Sequence, residues 1–475
     1  MSLVKDTAFS AAASIVGTAS RLLLTVILAR ALVPADYGRF VFIQWVIDLS
    51  FQLASLGITG SLVRFLPELV RGRGLGGSRG AFWLVAAAAS SVGVGLTLFL
   101  VYLQFDPSRA VAPMALMAAW FLGAVVTQIL FAAMQGLFRY DAVMAGNLGF
   151  GLCAPVLALL WLRTPSVSAA IASVTLAWTV AIVAALAVAL LRKGSRRPPA
   201  ASVPPPARQI VSYGLNLWIL ALLANLVWSR GEFGILRFHA SDHDIAVYAA
   251  ALSMTGAINQ GCALLTGALT PHLARSWAAG EIARVETILR TTTSITLFCA
   301  AGLALLLTGF GLELAGTVLG HAYTTSYPVM CVLAVAAVSI ASGSVNTLMQ
   351  IITNGRFGLR INLVALVVLL GVSAALSPFV GIMGAAIARA LAQMVTAIAT
   401  FRKLRSVPSL RQVSHEALRA LCAVLLVVGG FAAFVANVSL GLGSRLALAV
   451  LALGIAMVFL QRVLFPRPSG RWVTT

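Results

Sequence analysis

Arg21, Asp48, Glu232 and Arg389 stand inside, or at the edge of, long apolar runs, where charge has chemical consequences. A guanidinium stays ionised and grips phosphate or carboxylate oxygens with two parallel hydrogen bonds. A partly buried carboxylate can take up a proton or join carbonyl oxygens around Na+. In hydrocarbon either charge costs at least a few kcal/mol, so it persists only beside a partner or in a wet cavity. Gln44, Asp48 and Gln52 recur at four-residue spacing, which puts all three on one helix face. Arg389 and Gln393 are related in the same way, and Asn346, Gln350 and Asn354 form a further polar stripe. Arg21, Gln44, Asp48, Gln52, Arg389 and Gln393 are therefore the candidates for a polar, substrate-facing cavity, and Glu232 is the candidate ion-coupling carboxylate.

Each candidate has a plainer reading beside the functional one. Arg21 and Asp48 lie nearly the same number of residues from the turn at Pro34 and Ala35. At about 1.5 Å rise per residue they sit at one depth of a helical hairpin and can pair with each other. Arg389 either faces a cavity or has an acidic partner, with Asp48 one possibility. Glu232, in the segment WSRGEFGILRFH, is otherwise an interfacial surface charge, and the amide stripes are otherwise interhelical hydrogen bonds.

The elements that must carry these residues follow from composition. The chain has 475 residues, 60% of them hydrophobic and 10% charged, against about 25% charged in a soluble domain. A water-soluble fold is excluded. With about 20 to 25 residues per membrane-crossing helix, the apolar runs between residues 8 and 462 make fourteen expected spans. The expected class is an all-α polytopic membrane protein. Its net charge of +20 is topological rather than a signature of nucleic-acid binding. With the N-terminus inside, only Arg30, Arg39, Arg109, Arg163, Arg230, Arg237 and Arg445 fall on the outer side. Arg21 and Arg389 fall within spans, and every other basic residue is cytoplasmic. Both termini are expected in the cytoplasm. Cys153, Cys262, Cys299, Cys331 and Cys422 are scattered singly through apolar runs, without metal or disulfide spacing, and the N-terminal apolar stretch reads as a first span rather than a cleaved leader.

The segment RKGSRRPPAASVPPPAR, from Arg192 to Arg208, favours extended proline-rich chain and divides the sequence. Met134, Gln135, Asn147, Leu148 and the tetrapeptide AAIA at 169–172 recur in order as Met349, Gln350, Asn362, Leu363 and AAIA at 385–388, at offsets of 215 and 216. Asp36 and Phe40 are echoed by Asp244 and Tyr248. Six spans per repeat is an even number, so both copies enter the membrane in one orientation, as a parallel repeat. The expected organisation is a six-helix lobe at 1–192, a cytoplasmic linker at 193–208, a second six-helix lobe at 209–405, and two additional helices with a tail at 406–475.

LLTVILARALVPADYGRFVF, GITGSLVRFLPEL, DIAVYAAALS and GIMGAAIARAL, spread over nearly the whole chain, resemble the polysaccharide transporters, which flip lipid-linked oligosaccharides. Their superfamily also contains lipid II flippases and multidrug and toxic compound extrusion antiporters. The resemblance implies a V-shaped two-lobed bundle with a central cavity, a polyprenyl-diphosphate glycan as cargo, and alternating access.

Other motifs carry no function. GRGLGG at Gly72–Gly77 follows no strand, and none of Lys5, Lys193 and Lys403 completes a phosphate-binding loop. His239 and His243 are four apart but lie in a loop with Asp242 and Asp244, so no metal site is expected. No arrangement of nucleophile, base and anion hole marks an enzyme. The leading expectation is a bacterial inner-membrane flippase, monomeric, with no cofactor, coupled to H+ or Na+ if coupled at all. Its partners would be the lipid-linked oligosaccharide, membrane lipids and glycan polymerases or glycosyltransferases. A cation-coupled drug antiporter is the alternative, and it would favour buried carboxylates, whereas Arg21 and Arg389 outnumber Asp48. A non-transporting scaffold for envelope synthesis is the third reading.

Overall fold

Apolar runs rich in alanine and leucine favour helix, and punctuation by proline and glycine sets where each helix stops. The computed structural model describes residues 2–69, 79–105, 112–161, 163, 165–191, 207–353, 355–438 and 441–464. The described residues contain no strand and form seventeen α-helices. These are α1 (Ser2–Ala31), α2 (Pro34–Ala54), α3 (Ile58–Leu69), α4 (Arg79–Phe105), α5 (Met114–Gly136), α6 (Tyr140–Trp161), α7 (Val167–Leu191), α8 (Ala207–Asn225), α9 (Phe233–His239), α10 (Asp242–Ala278), α11 (Ile282–Leu314), α12 (Tyr327–Ala337), α13 (Gly343–Ile352), α14 (Arg356–Val380), α15 (Ile382–Leu404), α16 (Arg411–Asn437) and α17 (Leu442–Leu464).

All fourteen expected spans fall on a helix or a broken helix. Among the described residues, eleven are long and apolar enough to cross a membrane, or twelve when α2 and α3, bent by 52°, are taken as one. The other two expected spans coincide with α1 and α10. Leu190, Leu191, Val367, Phe379 and Val450 are exposed, as helices solvated by lipid allow. The loop Gly72–Gly77 and most of the linker, 193–206, lie outside the described residues, whereas residues 207 and 208 open α8.

Packing divides the chain into two units, Met1–Asn225 and Leu226–Thr475. The units differ from the expected lobes at two places. Helix α8, expected to open the second lobe, packs with the first unit, and α16 and α17 pack with the second.

In the first unit α6 lies along both α1 and α7, and α5 lies on α7. Small residues allow the close approach: Ala154 and Ala158 of α6 and Ala170, Ala177, Ala181 and Ala185 of α7 are all fully buried. Helix α8 docks on the α2–α3 break. There Leu56 and Gly57 have φ of 43° and 75°, and a Cβ on Gly57 would overlap the carbonyl oxygen of Gly214. Trp218 Nε1 donates to the carbonyl of Gln52 at 2.8 Å.

The second unit repeats the pattern. Helix α14 lies along α15 and along the segment of the π-turn and α9, and α12 lies on α15. Ala365, Leu369, Ser373 and Ser377 on α14 face the small residues of α15, among them Ala385, Ala388 and Ala392. The repeated asparagines occupy corresponding places. Asn147 Oδ1 lies where a Cβ on Gly17 of α1 would contact it at 3.3 Å, and Asn362 Oδ1 accepts from Trp228 Nε1 at 3.0 Å. Asn147 thus packs against the first span of its repeat while its amide donates to the carbonyl of Val143 on its own helix, and Asn362 bonds the first span of its repeat directly.

Candidate functional site: a buried arginine–glutamate–tyrosine cluster

The chain leaves α8 through a π-helical turn, Leu226–Arg230, before α9 begins. Such a turn widens the helix and disturbs its hydrogen-bond ladder. Gly231 follows, and a Cβ there would overlap the carbonyl oxygen of Leu226, so only glycine lets the backbone fold back this closely. The interruption leaves the carbonyls of Trp228 and Ser229 without the continuous ladder that would otherwise take them. Both accept instead from Arg389 of α15: Nη1 donates to Trp228 O at 3.3 Å and Nη2 to Ser229 O at 2.8 Å.

Glu232 stands next to the break with no exposed surface, and Arg389 is 3% exposed. Their contact is two-pronged, Nε to Oε1 at 2.8 Å and Nη2 to Oε2 at 2.8 Å. The hydroxyl of Tyr248 on α10 donates to Glu232 Oε1 at 2.7 Å. Phe233 closes the cluster with its ring edge against Tyr248, at 5.9 Å between centroids. The Trp228–Asn362 bond ties the π-turn to α14. Burying a carboxylate and a guanidinium is tolerable only when the pair is well aligned and their remaining hydrogen-bonding groups are satisfied. Both conditions are met here.

The arginine and the tyrosine of the cluster have no like residue at the aligned positions of the first repeat. At the offset of 216 that aligns the two AAIA segments, Arg389 corresponds to Ser173, and by the Asp36/Asp244 echo Tyr248 corresponds to Phe40. Ser173 hydroxyl donates to the carbonyl of Ala170, and Phe40 stacks on Trp120. At these two positions the first repeat has a serine and a phenylalanine where the second has a charge and a phenolic hydroxyl.

Among the expected site residues, Glu232 and Arg389 had separate roles and form one pair. The acidic partner of Arg389 is thus Glu232 rather than Asp48. Gln393, one turn along α15, is buried, and its Oε1 accepts no hydrogen bond from any described residue. Gln44, Asp48 and Gln52 are all half-buried on α2. Arg21 is exposed on α1 and forms no ion pair with Asp48 among the described residues. Equal depth in a hairpin fixes one coordinate and leaves rotation about each helix axis open. Gly17, Ser20, Leu24 and Leu28 of α1 are buried, and Ser20 sits so close to Gly151 of α6 that a Cβ there would overlap its hydroxyl. That nesting, at the face adjoining Arg21, sets the rotation.

Tyr248, Trp228, Ser229 and Asn362 were not singled out as site residues. A usable signal existed: Glu232 and Arg389 each lie eight residues from a turn expected on the same side of the membrane, at Ala240 and Gly381, and therefore at similar expected depth. The carboxylates near the histidines are structural. Asp242 pairs with Arg237 at 2.5 Å, and Asp244 forms a capping box with Ser241 at the start of α10. Among the described residues no group of histidine, cysteine and acidic side chains is arranged to hold a metal.

Residues 3–277, more than half of the chain, match the family described as polysaccharide biosynthesis protein. The chain belongs to that family. No curated protein matches it in sequence. Among solved structures it is similar to the lipid II flippase MurJ in an inward closed conformation, with a TM-score of 0.61, 9% identity, and coverage of 97% of this chain and 99% of that one. It is also similar to a transporter of the MOP superfamily from Pyrococcus furiosus, with a TM-score of 0.62, 16% identity, and coverage of 86% and 96%. An inward-facing multidrug resistance transporter of the MATE family gives a TM-score of 0.59 at 14% identity, with coverage of 86% and 95%. At these identities the likeness establishes the fold. Family and fold together are those of membrane transporters and flippases.

Proposed function

We propose that this protein is a flippase that carries a polyprenyl-diphosphate-linked oligosaccharide to the outer leaflet of a bacterial cytoplasmic membrane by alternating access, with both termini in the cytoplasm. The observation that carries the reading is Arg21, a guanidinium exposed near the middle of a membrane-length helix and unpaired with any described acid. A charge in that place requires water or an anionic ligand, and a diphosphate presents the oxygen pairs a guanidinium binds best. The half-buried stripe of Gln44, Asp48 and Gln52 on α2 supplies hydroxyl-binding groups of the kind a glycan needs. Membership in a polysaccharide biosynthesis family supports the same cargo. In an antiporter reading Glu232 would be the natural cation site, but the bidentate contact with Arg389 occupies it.

Delivery of glycan to the outer leaflet tests this. Arg21→Ala is expected to abolish delivery while the protein remains inserted at normal abundance. Arg21→Lys is expected to restore only part of it, because lysine keeps the charge but not the fork. Full delivery by Arg21→Ala would overturn the cargo-contact role. Loss of drug or cation exchange in place of glycan delivery would point to the antiporter, and unaltered delivery in a strain lacking the protein to the scaffold.

A further inference from the structure

The oxygens around Arg389 are those of a monovalent-cation site: a carboxylate, two backbone carbonyls released by a helix break, and a neighbouring phenolic oxygen. Glu232 Oε1 and Oε2 and Ser229 O each lie 2.8 Å from a guanidinium nitrogen, and Trp228 O lies 3.3 Å away. Tyr248 is hydrogen-bonded to the same carboxylate. Interrupted membrane helices characteristically offer such carbonyls to Na+, and a single carboxylate makes a niche of net charge −1, which one monovalent cation neutralises. Here the cation is covalently attached. We propose that the second unit contains a monovalent-cation niche permanently filled by the guanidinium of Arg389, so that Glu232 exchanges neither Na+ nor H+ with solution during transport.

Several features favour an occupied niche over an ordinary ion pair. Two backbone carbonyls join the carboxylate in holding the guanidinium, and the π-turn and Gly231 exist at the one place that releases them. At the corresponding positions of the first repeat Ser173 carries no charge and Phe40 no phenolic hydroxyl. The second repeat therefore holds an arginine and a tyrosine together where the first has a serine and a phenylalanine. This inference does not depend on which cargo the protein carries.

Removing the guanidinium should convert the niche into a site for free Na+. Thermal unfolding of the purified full-length protein is measured in NaCl, KCl and choline chloride for wild type, Arg389→Ala, Arg389→Ser and the neutral double variant Glu232→Gln/Arg389→Met. The midpoint of Arg389→Ala is expected to rise by several degrees as Na+ replaces choline, saturably, whereas wild type and the double variant stay unchanged. Arg389→Ser, which takes the side chain of Ser173, is expected to respond at least as strongly because it contributes one more oxygen. Should the single variants accumulate poorly, their abundance in membranes prepared with Na+ or with K+ is the readout, and greater abundance in Na+ is expected. Single variants indifferent to Na+ in both measurements would overturn the proposal. So would a wild type whose response, relative to the double variant, equals that of Arg389→Ala, because the niche would then be open with the arginine in place.

Discussion

Glu232 and Arg389 show how strongly a membrane interior constrains single residues. Each alone would be an uncompensated charge in a buried site, and removing one partner of a buried pair typically loses about 3–5 kcal/mol. Glu232→Ala is therefore expected to lower stability by that amount, read as a fall in the unfolding midpoint of the purified protein. Glu232→Gln combined with Arg389→Met should recover most of it, because the remaining groups are neutral and similar in volume. Tyr248→Phe removes a hydroxyl that donates to the carboxylate at 2.7 Å. Since a hydrogen bond to a charged group contributes about 1.5–3 kcal/mol, a smaller fall of that size is expected, with the fold retained.

Breaks in helices do the positioning at the next scale. At the π-turn Leu226–Arg230 and at the bend between α2 and α3 glycine is required by backbone contact rather than composition. Gly231→Ala would drive a methyl group into the carbonyl of Leu226, and overpacking of this kind costs about 1–3 kcal/mol. The variant should unfold earlier and weaken the Arg389 cluster, because the turn that presents Trp228 and Ser229 must shift. Gly57→Ala combines the same crowding, against Gly214, with a left-handed φ of 75°. Its loss of stability should exceed that of an alanine at Gly93, which has open space around it. Ser241→Ala breaks the reciprocal cap of α10 with Asp244 and is expected to cost about 1 kcal/mol, measurable in the same unfolding assay. Arg290 ties α11 to its neighbours by contacting Glu286, Glu416 of α16 and the carbonyl of Leu464 on α17. These contacts explain why the last two helices belong to the second unit.

For the whole molecule, orientation is the property to test, since it follows from the distribution of basic residues. In a background with the five native cysteines replaced, Ala200→Cys should be labelled only from the cytoplasmic side and Ser108→Cys only from outside. The reverse pattern would invert the assigned orientation, and labelling of both sites from the same side would remove the parallel repeat, because the number of spans between them would then be even. Helical class, span positions and the twofold repeat were legible in the sequence because each depends on local composition or on order along the chain. Lipid demands long apolar helices, and internal duplication leaves Asn147 and Asn362, or the two AAIA segments, at matched offsets. The placement of α8 with the first unit depended on Gly57 meeting Gly214 and Trp218 meeting the carbonyl of Gln52, contacts across 157 and 166 residues of chain that no local pattern encodes. The site divided in the same way. That Arg21, Asp48, Glu232 and Arg389 needed partners or water was evident from the cost of charge in hydrocarbon. Which residue met which was decided by rotation of helices about their own axes. Rotation is set by small buried faces, Gly17 and Ser20 against α6 and Ala385, Ala388 and Ala392 against α14, and it turned Arg389 onto Glu232 while leaving Arg21 exposed.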